Sequence, residues 1–235
     1  MPPGKTADTQ ARHALVVADG DVPTRVAIDA AWPGWDAGVT DVIAADGGYA
    51  RALAVGLVPT ILVGDLDSLE PSLVEAAAAD GVEILRSPVA KDESDTELAL
   101  LEAVRRGATR VTVIGAFGGA RLDHELANLW LLGHPALAGV AVVLLDATTR
   151  ASLVTAPGPD GGAVERPLPG RAGSTVSLLP FAGDVAGVTT RGFRYPLRGE
   201  PLVAGPARGL SNVRESEDAA VRVKRGRLLV IETAS

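Results

Sequence analysis

Cysteine is absent from this chain of 235 residues. Disulfides and thiolate metal sites are therefore excluded, any bound metal must be held by oxygen or histidine, and the composition fits a cytoplasmic protein. Lysine is nearly as scarce. Lys5, Lys91 and Lys224 are the only three, so cationic work falls almost entirely to Arg. Acids outnumber bases, 29 Asp and Glu against 22 Lys and Arg, for a net charge of −7. Nucleic-acid binders usually carry a basic face, so no nucleic-acid partner is expected. No apolar run reaches the roughly 18 residues that a membrane-spanning helix needs. The opening Met1-Pro2-Pro3-Gly4-Lys5 has no apolar signal core, so neither membrane insertion nor secretion is expected. The chain also lacks GxGxxG and the GK[ST] of a Walker A loop, and shows neither a Ser-His-Asp order nor a Cys nucleophile.

What is present is a globular composition, 47% hydrophobic, sufficient for one sizeable core or two smaller ones. Residues 1–12 are expected to form a flexible N-terminus. The next part alternates strand-like runs at 14–18, 41–45, 60–64, 82–86, 110–114 and 140–145 with helical patterns, clearest at 71–80, 95–106 and 123–132. This is the βαβ signature of a parallel sheet covered on both faces, an α/β domain over 13–146. After Asp146 the texture changes to Gly, Pro and Thr between short β-prone runs at 152–154, 175–179, 185–190, 201–203, 220–223 and 228–231. An all-β sandwich domain over 151–235 is the natural reading. The last two runs flank Lys224-Arg225-Gly226-Arg227 as a hairpin would, and Pro157 to Gly170 reads as a mobile loop.

The most informative stretch is Gly64-Asp65-Leu66-Asp67-Ser68, directly after the apolar Ile61-Leu62-Val63. Two carboxylates one residue apart repel unless a cation sits between them, and hard oxygen ligands suit Mg²⁺, which favours a phosphate-bearing substrate. A solvated Asp-rich turn would explain an isolated pair of this kind. These acids are not isolated, however, because Asp46-Gly47-Gly48, Lys91-Asp92-Glu93-Ser94-Asp95 and Gly115 to Asp123 also follow apolar runs. In a parallel sheet those loops emerge on one edge, gathering five or more carboxylates with Lys91 and Arg121 around a Mg²⁺-nucleotide site. Bland readings stand beside this one. Ser94 and Glu97 fit a capping box, Lys91 balances Asp92 and Glu93, and the Gly115–Gly119 run can be an ordinary strand-to-helix turn. Asp123 can cap the next helix, with His124 and Asn128 a satisfied polar pair.

Taken in order, these motifs resemble thiamin pyrophosphokinase. The second half agrees, with Val176-Ser177-Leu178-Leu179-Pro180, Gly187-Val188-Thr189-Thr190-Arg191-Gly192, Tyr195-Pro196-Leu197 and Gly209-Leu210-Ser211-Asn212. Each motif is weak alone; the ordered set, running from about residue 14 to 232, is specific. The resemblance implies a homodimer with the active site at the interface. It also implies transfer of the terminal pyrophosphoryl group of ATP to the hydroxyethyl oxygen of thiamin, giving thiamin diphosphate and AMP. By the same resemblance Asp46, Asp65, Asp67, Asp92 and Asp95 handle Mg²⁺ and the ATP phosphates, with Gly47, Lys91, Ser94 and Gly118 in the nucleotide site. Arg121 and Asp123 stand near the transferring group, and Ser211 and Asn212 near thiamin. Ser94 stands where a Thr is usual and keeps the hydroxyl. The rival readings are a pyrophosphokinase of another hydroxymethyl heterocycle, of pterin type, and a non-catalytic nucleotide- or thiamin-binding module. The Gly209 to Asn212 match counts against the first, the intact acids and Arg121 against the second.

Overall fold

A run such as Ile61-Leu62-Val63 has no polar face, so it is stable only as a central strand covered on both sides. The computed structural model, which describes residues 11–234, places it there. Residues 1–10 of the expected flexible segment lie outside the described residues, and Arg12 already opens the first strand. Five strands, β1 (Arg12–Val17), β2 (Val39–Ala45), β3 (Ile61–Gly64), β4 (Glu83–Arg86) and β5 (Ala108–Ile114), pair in parallel, and β6 (Ala141–Leu145) joins β5 in parallel. The connecting helices are α1 (Arg25–Ala31), α2 (Gly48–Ala54), α3 (Pro71–Ala79), α4 (Asp95–Arg105) and α5 (Leu122–Leu131). Helices α1 and α2, seven residues each, carry too little periodicity to be seen in the sequence. Helix α4 starts beyond the edge strand β4 and crosses back over β3, β2 and β1 to β5, burying Ala99, Leu100 and Ala103.

The spatial order β6-β5-β1-β2-β3-β4 reverses between β1 and β5. Open α/β sheets bind ligands at such a reversal, beyond the strand C-termini. The fold is therefore α/β with a mostly parallel sheet, and the second half adds a β-sandwich. No helix among the described residues is long and apolar enough to cross a membrane.

The sheet does not stop where the texture changes. Asp146 Oδ1 accepts from the Thr148 and Thr149 amides at 2.5 and 2.7 Å, and this tight turn sends β7 (Thr149–Ala156) back antiparallel to β6. Strands β14 (Gly226–Thr233), β9 (Thr175–Pro180) and β12 (Asn212–Val213) follow, giving one sheet of ten strands. A second sheet of four, β11 (Arg198–Leu202), β10 (Val185–Arg191), β13 (Ala220–Val223) and β8 (Val164–Pro167), packs over that extension. Period-two alternation serves both cores: Leu228 and Val230 of β14 face the second sheet, and Leu229 faces the cluster under α4 and α5.

Two local expectations fail. The runs around Lys224–Arg227 do not form a hairpin: β13 lies in one sheet and β14 in the other, with the corner pinned where Ala186 and Arg225 bridge. Val221 and Val223 must face Leu228 and Val230 across the core, which side-by-side pairing would prevent. The supposed loop Pro157 to Gly170 contains β8, whose Glu165 pairs with Arg222 of β13.

Candidate active site

The acids of two loops meet at the C-terminal ends of β2 and β3. Asp46, Asp65 and Asp67 each present a carboxylate oxygen within 4.8 Å of the others. Asp46 is buried and sits at φ 45, Leu66 at φ 65, so both turns hold strained backbone to aim their side chains. The Ser68 hydroxyl donates to Asp46 Oδ2 at 2.5 Å, while Asp46 Oδ1 is buried with no hydrogen-bond partner among the described residues. A buried carboxylate oxygen left unpaired beside two further acids is what a divalent cation would complete, so these residues fit Mg²⁺. Burial pushes the Asp46 carboxyl above its ordinary value, and the charges of Asp95 and Asp65 add to this against the Ser68 hydrogen bond.

Lys91 answers the opposite side of the cluster. Its Nζ donates to Asp95 at 2.7 Å, to Ser87 at 2.9 Å and to Asp65 at 3.4 Å. Burial works against this ammonium, but Asp95 and Asp65 outweigh it and hold the Lys91 pKa above its ordinary value. Asp65 is held below its ordinary value, first by the Asp67 amide, which donates at 3.2 Å, then by Lys91. Lys91 is thus more than a counter-charge for Asp92 and Glu93, both of which are exposed. Ser94 caps α4, accepting from the Glu97 amide at 3.1 Å; the Glu97 carboxylate turns to His134 at 3.3 Å, so only half of the capping box forms.

Across a cleft of about 550 Å³ lies the Gly-rich loop after β5. Gly118 takes φ 78, and a Cβ there would sit 2.3 Å from the Asp21 carboxylate, so only glycine fits. Arg121 grips Asp123 with two hydrogen bonds of 2.9 and 2.6 Å, both side chains largely exposed. That pairing, ahead of any other influence, lowers the Asp123 pKa to about 2. Asp123 lies inside the first turn of α5 and does not cap it. Nor do His124 and Asn128 pair: His124 is exposed, whereas buried Asn128 donates to the Ala116 carbonyl at 2.9 Å.

The family model for the thiamin pyrophosphokinase catalytic domain matches residues 37–144, which carry this whole cluster. The model for that family's vitamin B1 binding domain matches residues 164–229. This chain belongs to the thiamin pyrophosphokinase family. It is therefore an enzyme, a transferase of thiamin diphosphate formation. The thiamine pyrophosphokinase of Bacillus subtilis (strain 168) is 28% identical over 173 residues, 72% of this chain and 76% of that protein. The crystal structure of a thiamine pyrophosphokinase from the same species shares the fold, with a TM-score of 0.78 at 24% identity over 95% of this chain and 99% of that one. A thiamin pyrophosphokinase family protein from Enterococcus faecalis gives a TM-score of 0.77 at 28% identity, over 96% and 100% of the two chains.

The second-half motif lies elsewhere in this chain. Ser211, at φ 56, is exposed beside β12, and its amide donates to Ser177 at 3.1 Å. Asn212 is buried and spent on structure, its amide group donating to the Tyr195 carbonyl at 2.8 Å while its oxygen accepts from the Tyr195 amide at 3.1 Å. Gly209 runs so close to β9 that a Cβ would meet the Leu178 carbonyl at 1.9 Å. Strand β12 is one edge of the ten-stranded sheet and β3 is next to the other. Eight strand spacings at ~4.8 Å put Ser211 on the order of 40 Å from the acids of its own chain.

Residues that sequence reasoning passed over also line the cleft. Asp19 and Arg51 pair across it at 3.4 Å, and the Gly20 and Asp21 amides donate to the carbonyls of Gly115 and Phe117 at 2.9 and 2.8 Å. The signal was available: Ala14 to Ala18 is a further apolar run ending in acids, Asp19-Gly20-Asp21.

Proposed function

We propose that this chain transfers the pyrophosphoryl group of ATP to the hydroxyethyl oxygen of thiamin, releasing AMP. The observation that carries this reading is the Asp46-Asp65-Asp67 cluster, with its orphaned Asp46 oxygen, facing a glycine-rich loop and Arg121 across one cleft. Asp46, Asp65 and Asp67 would hold Mg²⁺, with Asp92 and Asp95 beyond them toward the ATP phosphates. The ion supplies charge neutralisation on the phosphate oxygens.

The remaining work falls to side chains. Lys91 limits repulsion between Asp65 and Asp95 and fixes both. The loop around Gly118, with Gly47 and Ser94 opposite, offers backbone N–H groups and a hydroxyl to the phosphates. Arg121 exchanges one or both of its bonds to Asp123 for oxygens of the transferring group. The thiamin oxygen bonds to the β-phosphorus in line as the bond to the oxygen bridging α and β breaks, AMP carrying the electron pair away. Asp123, with a pKa of about 2, is a weak base; it is suited to orienting the hydroxyl, whose proton leaves to solvent or phosphate late in the step.

The separation of Ser211 from its own chain's acids supports a homodimer in which each site takes its thiamin-binding segment from the partner. Leu122, Leu126 and Trp130, exposed at four-residue intervals along α5, give a partner an apolar stripe next to Arg121. Incubation with Mg·ATP and thiamin, followed by product analysis, tests the reading: thiamin diphosphate and AMP in equal amounts are expected. Release of ADP with thiamin monophosphate would replace it with single-phosphate transfer.

A further inference from the structure

A second cavity, about 380 Å³, opens on the face of the ten-stranded sheet that carries α1, opposite the face under α4. It shares no residue with the cleft of the proposed reaction. Its floor is Thr112, Val143 and Leu145, and one wall is formed by Trp32 and Trp35. Four arginines, Arg110, Arg150, Arg171 and Arg214, line it, and no acid among the described residues does. In a chain of net charge −7 that concentration is against the trend.

The acids behind the lining are already engaged: Asp29 accepts from Trp35 Nε1 at 2.8 Å and, with Asp36, is answered by Arg25, and Glu232 holds two of the cavity's arginines. Buried Glu232 takes Arg150 through two bonds of 2.7 and 2.8 Å and also receives Arg214. Arg214 is further committed to the Leu168 carbonyl at 3.0 Å and to Ser174 at 2.6 Å, and Arg150 lies 4.8 Å over the Trp32 ring. These two are rigid, structural charges that together exceed Glu232 by one. Arg110 differs. Its guanidinium donates to the Trp35 carbonyl at 3.5 Å and has no carboxylate partner among the described residues. A guanidinium with no carboxylate partner and most of its five N–H groups uncommitted, beside two arginines that outnumber Glu232 and against an apolar wall, makes a receptor for an anion. The volume falls in the range of small-molecule sites.

We propose that this cavity binds a small organic anion, one with a phosphate-type dianionic head that meets Arg110 and a flat apolar body that lies along the Trp32 wall. A dianion matches the surplus of positive charge better than a carboxylate does.

Equilibrium dialysis of phenyl phosphate against the full chain tests this, with tryptophan emission as a second readout, since Trp32 and Trp35 are two of the three Trp. One equivalent per chain should bind, with a Kd on the order of 1 mM or tighter, and inorganic phosphate should bind less well. Arg110→Gln should weaken binding at least about tenfold by removing charge-assisted hydrogen bonds, while Arg121→Gln, in the other cleft, should leave it unchanged. Because Arg110 is exposed, the Arg110→Gln variant should keep its unfolding midpoint and its rate of thiamin diphosphate formation. Binding that survives Arg110→Gln, binding that is lost with Arg121→Gln instead, or no binding at about 10 mM phenyl phosphate would overturn the proposal.

Discussion

The Asn128 side chain donates to the Ala116 carbonyl at 2.9 Å, tying the glycine-rich loop to the helix that carries Arg121 and Asp123. Both partners are buried, so losing the donor leaves a carbonyl unpaired away from water. We expect Asn128→Ala to lose about 1–3 kcal/mol of stability in urea unfolding, and kcat to fall as Arg121 loses its fixed position. Full stability with a tenfold or greater loss of kcat would instead place Asn128 in contact with substrate.

Asp67→Asn removes one oxygen charge from the three-acid cluster. Turnover should fall at least about 100-fold, because a lost ligand weakens charge neutralisation that contributes several kcal/mol. Stability should stay within about 0.5 kcal/mol, since Asp67 is exposed and packs against little. Steady-state rates across a Mg²⁺ titration check this; normal turnover at saturating Mg²⁺ would remove Asp67 from the metal site.

For Arg121→Lys we expect a large loss in kcat that extra ATP does not rescue. A planar fork engages two oxygens, as it does with Asp123, where an ammonium is a point charge. In the native enzyme Asp123 stays ionised down to a pH of about 2, so it should add no acidic limb to the kcat/KM profile in the neutral range. A raised KM for ATP with unchanged kcat would limit Arg121 to binding.

His13 supplies the pH dependence of stability. Its ring is buried, with Nδ1–H donating to the Ala37 carbonyl at 3.0 Å and Nε2 accepting from Thr112 at 2.9 Å, which suits the neutral form. Burial, ahead of the Arg110 charge, lowers its pKa below 6.5 despite the Ala37 bond. The unfolded chain therefore binds the proton more readily, and stability is lost as pH falls from about 6.5 toward the lowered value. Urea midpoints between pH 7.5 and 5.5 should decline, and His13→Gln, although less stable throughout, should decline less over that window.

Subunit sharing is tested by complementation. If the proposed homodimer forms, the Asp67→Asn and Ser211→Ala variants should each be impaired, and mixing them with subunit exchange should restore activity at hybrid sites that draw intact acids from one chain and Ser211 from the other. A fully active monomer in sedimentation would exclude the shared site.

Local chemistry carried much of this protein. The run Ile61-Leu62-Val63, with polar residues only at its end, could be nothing but a covered strand, and Pro71 and Gly107 bounded helices that the structure reproduces within a residue or two. The same rule, acids following apolar runs, brought Asp46, Asp65, Asp67 and Lys91 to one edge, because parallel strands align their C-termini whatever the order of the chain.

Other features depended on contacts distant in sequence. Lys224–Arg227 looks like a hairpin turn, but the choice between pairing side by side and facing across a core depends on the Val188 and Phe193 cluster, which a window of residues cannot see. Asn128 and His124 are equivalent polar residues on a helix until the Ala116 carbonyl arrives beside one of them. Burial is a property of the assembled sheet. That is why the sequence alone could name Asp46 as an acid in a loop, and only tertiary structure could leave one of its oxygens unpaired and raise its pKa.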